Sequence, residues 1–424
     1  MRICLFEDDW QRLEPLSATR PVFELVCGIT SLGEKQRRWL GASDWGVCIR
    51  PALAALYRRQ HPDIPVNEYG WLLSSPMALV NGRWLPPATF VTLPGGPCVG
   101  MAGDRVVFAV LSDGQLASFR FSDLALVTKE WQHVLPHIDV GGQLIDYPWD
   151  LIEHNAAAIA KDVSAVAKPE WPHRGDAVSV VGPADRVWLA PSARIEPFVV
   201  ADTLHGPVVV DEQAMVTAFT RLEGPCYIGP RSQVMGAKIR GGTTIGPHCR
   251  IGGEVEASIV HGYSNKYHEG FLGHSYVGEW VNLGAGTHNS DLRNDYGPVS
   301  VPMPGQVVKT GRTKVGCFIG DHVKTGLGTL INTGSHVGAF SNLLPAGRLA
   351  PKYIPAFTTW WNGNLTEEFP LDQLLQTAER MMQRRGQQLT EEHLALYETM
   401  YHATSDERHQ VLQENEMRLW RQSA

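Results

Sequence analysis

A six-residue repeat is the sequence feature that most constrains the fold of this chain. Between residues 224 and 347, apolar residues recur six positions apart at Ile228 and Val234; at Ile239, Ile245 and Ile251; and at Phe271, Val277 and Leu283. A later run keeps the same spacing at Thr313, Ile319, Thr325, Ile331, Val337 and Leu343. Glycine directly follows many of these positions, and this segment holds 24 of the 42 glycines. A period of six matches neither an α-helix nor an alternating strand, and indicates a repeat architecture.

The period predicts a solenoid with a triangular turn. Three short strands in each turn would place one aliphatic side chain inward, and stacked turns would bury a continuous core. Small residues, above all glycine, suit the corners, where the backbone takes unusual angles. The register is interrupted between Val234 and Ile239, and residues 287–311 lack the pattern. We expect loops or bulges that leave the prism at both places, and functional residues near them.

The two ends of the chain have different patterns. Residues 1–165 alternate short apolar strands with helical segments, at 31–40 and 51–60 among others, and predict an α/β layered domain that closes with a helix around 150–159. Residues 168–175 have the composition of a linker. The solenoid domain is expected over 176–358. Helical spacing of Leu371, Leu374, Leu375, Ala378 and Met382 predicts a helical extension over 365–424, with Thr390 as a helix N-cap.

Composition excludes several classes of protein. With 37 basic and 44 acidic residues, the net charge is −7, which argues against a nucleic-acid-binding protein. No apolar run approaches the ~20 residues needed to cross a bilayer, and acidic residues at positions 7 to 9 interrupt any signal-peptide core. Seven cysteines without CxxC pairs fit reduced thiols. We therefore expect a cytoplasmic protein that binds neither membrane nor nucleic acid.

The densest group of polar residues lies within the repeats, at 263–287. His268 precedes Asn282 by fourteen residues, and Asn282 begins the string Asn-Leu-Gly-Ala-Gly-Thr at 282–287. Over about residues 225–345, this pairing resembles the acetyltransferase half of the bifunctional N-acetylglucosamine-1-phosphate uridyltransferase/glucosamine-1-phosphate acetyltransferase family. The resemblance implies a left-handed parallel β-helix that transfers acetyl from acetyl-CoA to an amino sugar phosphate.

The chemistry of this transfer explains the residue types. The acceptor amine must lose a proton as it attacks the thioester, and imidazole titrates in the range that suits a general base. By the resemblance, His268 is that base, and Asn282 positions the substrate or supports the base. The backbone N–H groups of Gly284, Ala285 and Gly286 would then lie near the acyl thioester.

Several positions depart from the family pattern. Phe271 stands where the family has a tyrosine near the substrate phosphate, Asp291 where it has an asparagine, and Ser258 where it has a lysine. Lys266 could supply the missing cation for a phosphate. We therefore assign Lys266, Phe271 and Asp291 to substrate binding, in an acceptor site that differs from that of the family.

The histidines are also compatible with a different class of enzyme. The spacing of His261, His268 and His274 could place three imidazoles on one face of adjacent turns, as zinc ligands lie in the γ-class carbonic anhydrases, which share the prism. Such a site needs three neutral histidines and an open position for water. The string at 282–287 has no role in that enzyme, which favours acyl transfer.

The N-terminal segment has a resemblance of its own. Residues 12–21 are similar to the signature of sugar nucleotidyltransferases, in which a glycine-rich loop lets backbone amides approach the nucleotide phosphates. Here residues 7–11, Glu-Asp-Asp-Trp-Gln, replace the glycines, and Val22 replaces the signature lysine. Arg12, Arg20 and Lys35 remain as candidate phosphate-binding residues.

The metal-binding residues of that family are only partly present. Asn81 and Arg83 lie where the family has its metal-binding Gly-Asp, and we assign both to the nucleotide site. Asp150 is the candidate that survives as a Mg²⁺ ligand. Octahedral Mg²⁺ relies on few, well-placed carboxylates. The loss of one of the two metal-binding carboxylates therefore weakens such a site.

These features predict one chain with two activities. An α/β nucleotidyltransferase-like (Rossmann-like) domain would join a sugar phosphate to a nucleoside triphosphate with Mg²⁺, and the β-helix would transfer acetyl from acetyl-CoA, as in the synthesis of UDP-N-acetylglucosamine-type nucleotide sugars. The alternative is a monofunctional acyltransferase whose N-terminal domain binds a nucleotide sugar without turning it over. The resemblance also implies a homotrimer, with the acyl donor bound between neighbouring prisms.

Overall fold

The computed structural model of the protein describes residues 1–73, 76–116, 130–166, 171, 178–345 and 347–423. It divides into two compact units: Met1–Leu13, Thr19–Leu25 and Thr30–Tyr147 form the first, and Glu14–Ala18, Val26–Ile29 and Pro148–Ala424 form the second. The predicted linker at 168–175 lies, apart from Trp171, outside the described residues. None of the described helices combines the length and the apolar character that a membrane crossing requires.

The first unit is built on a six-stranded sheet. Its strand Arg2–Phe6 is parallel to Asp44–Cys48 on one side and to Met77–Asn81 on the other. The sheet continues through Arg105–Leu111, Cys98–Ala102 and His137–Asp139, of which the first two run antiparallel to each other. A separate antiparallel pair joins Trp84–Leu85 to Gln143–Leu144. The predicted α/β layer is therefore confirmed.

Two helices of the first unit, Leu32–Trp39 and Pro51–Gln60, confirm the helices predicted at 31–40 and 51–60. The α-helices are Leu32–Trp39, Pro51–Gln60, Tyr69–Leu72 and Asp113–Leu116, and two 3₁₀ helices are Trp10–Leu13 and Val22–Glu24. Ser31 begins the first of them with a capping box, in which its hydroxyl accepts the Glu34 N–H and the Glu34 carboxylate accepts the Ser31 N–H, an arrangement that satisfies two otherwise unpaired backbone donors.

The second unit is a parallel β-solenoid. One of its sides is a nine-stranded parallel sheet in which successive strands in the middle begin 16 or 17 residues apart, as three strands of about six residues require. These strands are Val187–Leu189, Val208–Val210, Cys226–Ile228, Thr243–Ile245, Ile259–Gly262, Tyr276–Glu279, Cys317–Ile319, Ser335–Val337 and Tyr353–Ile354.

The remaining strands form the other sides of the solenoid. They are Ser179–Val181, Arg194–Ile195, Val200–Asp202, Met215–Val216, Arg221–Glu223, Gln233–Ile239, Arg250–Glu256, Asn265–Lys266, Phe271–Gly273, His288–Asn289, Lys324–Thr325, Leu330–Ile331, Asn342–Leu344, Thr359–Trp361 and Asn364–Thr366. The last of these is antiparallel to Thr359–Trp361.

The six-residue period identifies most of the core. Val234, Ile245, Ile251, Val277 and the other aliphatic repeat positions are buried in one apolar cluster that runs along the solenoid axis, so the prediction of a stacked core is confirmed. Two positions differ. Thr313 is exposed, and Leu272 is buried instead of Phe271, because parallel pairing aligns Leu272 with the inward-facing Val255.

Both predicted interruptions of the repeat are present. The strand Gln233–Ile239 carries a bulge, with a register shift between Met235 and Lys238 against the next turn. Within 287–311, the chain leaves the solenoid as an antiparallel hairpin of Ser300–Met303 and Gln306–Lys309.

One corner of the solenoid is built from aromatic residues rather than glycine. His248, Tyr263, Trp280, His322, Phe340 and Phe357 take φ values of 57°, 52°, 58°, 61°, 62° and 60°, a left-handed conformation that glycine adopts with less strain. Neighbouring rings stack with centroids 4.4 to 6.3 Å apart. We call these six residues the corner ladder; its ring stacking offsets the backbone strain.

The C-terminal extension comprises the helices Leu371–Gln383, Glu391–Ala403 and Ser405–Ser423, as the spacing predicts. Thr390 caps the second helix. Tyr397 and Tyr401 pack edge-on against Phe340 and Phe357, with centroids 4.7 and 5.3 Å apart, and the Tyr397 hydroxyl lies 3.2 Å from His322 Nε2. The corner ladder is therefore the surface on which this helix docks.

The helix Pro148–Val166, predicted to close the N-terminal domain, groups with the solenoid. Its Asn155 side chain donates to the Gly242 carbonyl at 2.8 Å and accepts from the Gly28 N–H at 2.6 Å. These buried bonds fix the helix and the segment Val26–Ile29 to one side of the solenoid.

Candidate functional site

A cavity of about 360 Å³ on the solenoid brings together part of the predicted acyl-transfer site. Its lining contains His268, Asn282, Gly284 and Ala285, together with Arg250, Asn265, Tyr267, Leu283 and Leu327. His268 is exposed, so its imidazole is accessible to a ligand. We call this space the His268 cavity.

Lys266 supports the His268 cavity from inside the solenoid instead of facing a ligand. It is buried, in register with the core residue Ile251. Its ammonium donates to the Gly252 carbonyl at 2.8 Å and to the His268 carbonyl at 3.3 Å. Burial lowers the pKa of Lys266 to about 8. This placement fits a residue that fixes the backbone carrying His268, and gives no support to the predicted phosphate contact.

Asn282 belongs to a row of polar residues that crosses four turns. Parallel pairing aligns Arg250 with Asn265, Asn265 with Asn282, and Asn282 with Lys324. The Asn265 amide donates to Asn282 Oδ1 at 3.2 Å. Asn282 is thus held by its neighbour on the preceding turn, with its side chain on the His268 cavity.

Close packing between turns explains part of the sequence Asn-Leu-Gly-Ala-Gly-Thr at 282–287. A Cβ on Gly284 would lie 2.6 Å from the Gly326 carbonyl oxygen on the next turn. The Gly284 N–H donates to Thr325 Oγ1 at 2.9 Å, and the Gly286 N–H donates to the Glu269 carbonyl at 2.9 Å. Two of the three N–H groups expected near a thioester are therefore used within the solenoid, because they join neighbouring turns. Among the described residues, none accepts from the Ala285 N–H.

Phe271 and Asp291 are not among the residues that line the His268 cavity. The Phe271 N–H donates to His288 Nδ1 at 3.1 Å. Asp291 Oδ2 lies 2.7 Å from His274 Nδ1. Burial acts to raise the pKa of Asp291, but the hydrogen bond and charge of His274 outweigh it, and the pKa is lowered. His274 lines a larger cavity of about 990 Å³ beside the helix Pro148–Val166.

The three histidines considered as zinc ligands do not share one site. His268 and His274 line separate cavities, and His261 packs edge-on against Tyr276. Among the described residues, no group of three or more His, Cys, Asp or Glu side chains could hold a metal ion. The zinc alternative therefore lacks a ligand set in that part of the chain.

A second cavity adjoins the His268 cavity and was missed from the sequence. It has a volume of about 380 Å³ and shares Arg250, Asn265 and Asn282 with the first. Its other cationic residues are Lys324, Arg380, Arg384 and Arg385. We call it the cationic cavity. The only signal in the sequence is a basic pair four residues apart, at 380 and 384, near the end of a predicted helix.

In the first unit, the predicted nucleotide residues Asn81 and Arg83 lie at the carboxyl edge of two parallel strands, where α/β sheets commonly bind ligands. The Asn81 amide donates to Asp8 at 2.9 Å. Arg83 is buried and binds Asp8 through two bonds of 2.6 and 2.9 Å, and Asp146 at 2.8 Å. Burial acts to lower the pKa of Arg83, but its two carboxylate partners raise it.

The other predicted phosphate-binding residues are dispersed. Arg12 lies near this cluster, 3.6 Å from Asp146. The Arg20 carbonyl accepts from Arg50 at 3.1 Å. Lys35 is buried, and its ammonium donates to the Thr30 carbonyl and hydroxyl at 3.0 and 2.8 Å. Lys35 therefore stabilises the segment before its own helix.

The described residues do not fit the Mg²⁺ site expected at Asp150. The Asp150 carboxylate is 2.8 Å from the Arg312 guanidinium of the solenoid unit, and Glu153 binds the same guanidinium. At the sheet edge, the nearest carboxylates are already held by Arg83. Because a buried guanidinium neutralises these oxygens, a second cation there would meet like charge.

Comparison with known proteins agrees with both halves of this description. Residues 3–170 match the protein family described as sugar nucleotidyl transferase. A bifunctional sugar-1-phosphate nucleotidylyltransferase/acetyltransferase from Sulfurisphaera tokodaii is 36% identical over 150 residues, 34% of this chain and 36% of the relative. The bifunctional protein GlmU of Heliobacterium modesticaldum is 26% identical over 307 residues, 70% of this chain and 57% of the relative.

Among solved structures, the Francisella novicida UDP-N-acetylglucosamine acyltransferase is similar over 53% of this chain and 77% of its own, with 14% identity and a TM-score of 0.30. The matched regions span about a third of the Sulfurisphaera protein and little more than half of the Heliobacterium protein. The chain therefore has an N-terminal region that is similar to the sugar nucleotidyl transferase family, followed by a parallel β-solenoid, and the relatives named above are described as transferases.

Proposed function

We propose that the solenoid transfers an acetyl group from acetyl-CoA to the amine of an amino sugar phosphate. The observation that carries this proposal is the joint lining of one cavity by His268, Asn282, Gly284 and Ala285. In this reaction, the amine nitrogen attacks the thioester carbonyl carbon, the carbon–sulfur bond breaks, and the thiolate leaves. His268 accepts the amine proton and returns it to the thiolate.

The remaining residues have supporting roles in this proposal. The Ala285 N–H is the donor left to stabilise negative charge on the thioester oxygen. Asn282, held by Asn265, orients the sugar or the imidazole. Phe271 and Asp291 contact the substrate only if it extends beyond the His268 cavity.

The test is an assay of thiol release from acetyl-CoA with a panel of amino sugar phosphates, followed by mass spectrometry of the products. His268→Ala should lower kcat by about 10²-fold or more. His288→Ala is the matched control, because His288 is also exposed but is not part of the cavity lining. Equal rates for wild type and His268→Ala would refute the assignment of the base.

For the N-terminal domain, we propose nucleotidyl transfer, in which a sugar phosphate oxygen attacks a nucleoside triphosphate and pyrophosphate leaves. The match of residues 3–170 to the sugar nucleotidyl transferase family supports it. The bonds of Arg83 to Asp8 and Asp146 favour the alternative, a domain that binds a nucleotide sugar without turnover. Pyrophosphate release by the full chain carrying His268→Ala, with UTP, Mg²⁺ and sugar phosphates, distinguishes them: release supports transfer, and binding of UDP-sugar without release supports the alternative.

We further propose a cytoplasmic homotrimer. All seven cysteines are buried thiols outside any disulfide, as a reducing compartment allows. Leu330 and Leu349 are exposed register partners on adjacent turns, and the exposed Leu327 lines the His268 cavity. A neighbouring prism would cover such an apolar stripe. Light scattering after size exclusion should give three times the chain mass of 46.8 kDa.

A further inference from the structure

The cationic cavity has one wall from the solenoid and one from the C-terminal extension. On the solenoid side, Arg250 and Lys324 stand at the two ends of a row that continues through Asn265 and Asn282. Three strand spacings separate the ends of this row, about 14 Å. On the other side, Arg380 lies in the helix Leu371–Gln383, and Arg384 and Arg385 follow it directly.

The charges of this cavity are not balanced by the residues around it. Of the described residues that line it, five are cationic and none is acidic. Arg250 Nε is buried and has no hydrogen-bond partner in the described part of the chain. Arg380, in the last turn of the helix, and Arg384, its C-cap, are four residues apart, so two like charges lie close together at the helix end. An anion between the two walls would relieve both the repulsion and the unsatisfied donor.

The cavity is also connected to the candidate acyl-transfer residues. Arg385 Nη2 donates to Asn265 Oδ1 at 2.6 Å, and Asn265 donates to Asn282 at 3.2 Å. The C-terminal extension is therefore joined through one amide to the asparagine on the His268 cavity. Because the two cavities share three residues, one ligand could occupy both.

We propose that the cationic cavity binds the phosphate groups of a substrate whose reacting end lies in the His268 cavity, with Arg380, Arg384 and Arg385 of the C-terminal extension as one wall. Planar guanidinium groups bind phosphate oxygens through paired hydrogen bonds. Five cations exceed the charge of one phosphate and suit a ligand with several. That the ligand is a substrate rests on the proposed function; the anion site itself does not.

The test measures binding by calorimetry to the full chain, with inorganic pyrophosphate, acetyl-CoA and glucosamine-1-phosphate as separate probes. The variant is the double substitution Arg380→Ala and Arg384→Ala, since both side chains are exposed and their removal leaves the core intact. Arg194→Ala is the control, because it removes the same kind of charge from an exposed position outside the cavity.

We expect the double variant to bind pyrophosphate at least ~10-fold more weakly, as loss of charged hydrogen bonds implies, and Arg194→Ala to bind like wild type. If the double variant binds acetyl-CoA more weakly but glucosamine-1-phosphate like wild type, the ligand is the acetyl donor. If only the binding of glucosamine-1-phosphate is weaker, the ligand is the acceptor. Unchanged affinity for all three probes would overturn the proposal. This holds even if the double variant melts at a lower temperature, because the arginines would then only stabilise the helix C-terminus.

The outcome is separable from that of the proposed function. Arginine-dependent binding by a chain that transfers no acetyl group would leave the anion site standing and refute the acyl transfer. Acetyl transfer that depends on His268 but has the same KM values in the double variant would support the acyl transfer and refute the anion site.

Discussion

Lys324 offers a quantitative test of the cationic cavity. Burial lowers the pKa of Lys324 from an ordinary 10.5 to about 8. At 1.36 kcal/mol for each pH unit, the charged form is destabilised in the folded protein by about 3 kcal/mol. The other charged groups that face the same cavity are the guanidinium groups of Arg250, Arg380, Arg384 and Arg385.

An anion in the cavity should reverse this shift. If a bound phosphate restores an ordinary pKa, Lys324 will be protonated in the complex throughout the range from pH 7 to 9. In the free protein, the Lys324 side chain is half protonated at about pH 8. Binding at pH 8 should then take up about half a proton, and the affinity should fall about 10-fold between pH 7 and pH 9.

Calorimetry of acetyl-CoA binding in two buffers of different ionisation enthalpy measures this proton uptake directly. Lys324→Arg is the matched variant, because it keeps the positive charge but does not titrate. It should bind acetyl-CoA with an affinity that is flat from pH 7 to 9 and with no difference between buffers at pH 8. The same buffer dependence in wild type and Lys324→Arg would refute the assignment of the proton to Lys324.

The stability of the ligand-free protein gives an independent check on the same residue. The unfolded chain binds the Lys324 proton more tightly, so the destabilisation is complete below about pH 8 and is relieved as the pH rises toward 10.5. Lys324→Met should therefore raise the free energy of unfolding at pH 7 by up to about 3 kcal/mol. An unchanged or lower stability at pH 7 would contradict the burial cost.

Three further predictions concern other parts of the second unit. His268→Ala should leave the melting temperature within a degree or two of wild type, because the side chain is exposed, while the thiol-release assay loses its signal. Phe340→Ala should lower the free energy of unfolding by about 3 to 5 kcal/mol, measured by urea titration, since its buried ring contacts His322, Phe357 and Tyr397; a loss below ~1 kcal/mol would mean that the corner ladder contributes little. Asp291→Asn should lower the free energy of unfolding at pH 7 but not at the acid end of the folded range. The lowered pKa of Asp291 in the folded protein stabilises the fold above the unfolded value of about 3.9, and this contribution is lost as the pH falls through the folded pKa. An equal loss of stability at both pH values would assign the effect to packing instead of charge.

The sequence predicts the solenoid well because its signal is repeated. Each turn must present an aliphatic residue to the same axis, so Ile245, Ile251 and Val277 support one another. The prediction is wrong at Phe271 because counting by six cannot detect that pairing with Val255 selects Leu272. It also predicts glycine at the corners in general, although one corner is formed by stacked aromatic residues in left-handed conformations. Ring stacking between turns leaves no local pattern that distinguishes it from ordinary core residues.

The candidate site is predicted only where one segment carries it. His268, Asn282, Gly284 and Ala285 lie within eighteen positions of each other and line the same cavity. The cationic cavity joins Arg250 to arginines more than a hundred positions away, and no sequence pattern links such distant residues. The placement of Lys266 could not be predicted for a related reason. A lysine at an inward position is unusual, and only the three-dimensional structure shows the two backbone carbonyls that bind its ammonium.

The corner ladder explains how five cations can be held together in the cationic cavity. Bringing Arg380, Arg384 and Arg385 beside Arg250 and Lys324 opposes the docking of the extension, since the cations repel one another. The compensating contacts involve residues that do not line the cavity: Tyr397 and Tyr401 pack on Phe340 and Phe357. Apolar and aromatic burial is not weakened by charge screening, whereas the repulsion between the cations is. The extension should therefore dock more firmly as ionic strength rises, while the anion affinity of the cavity falls.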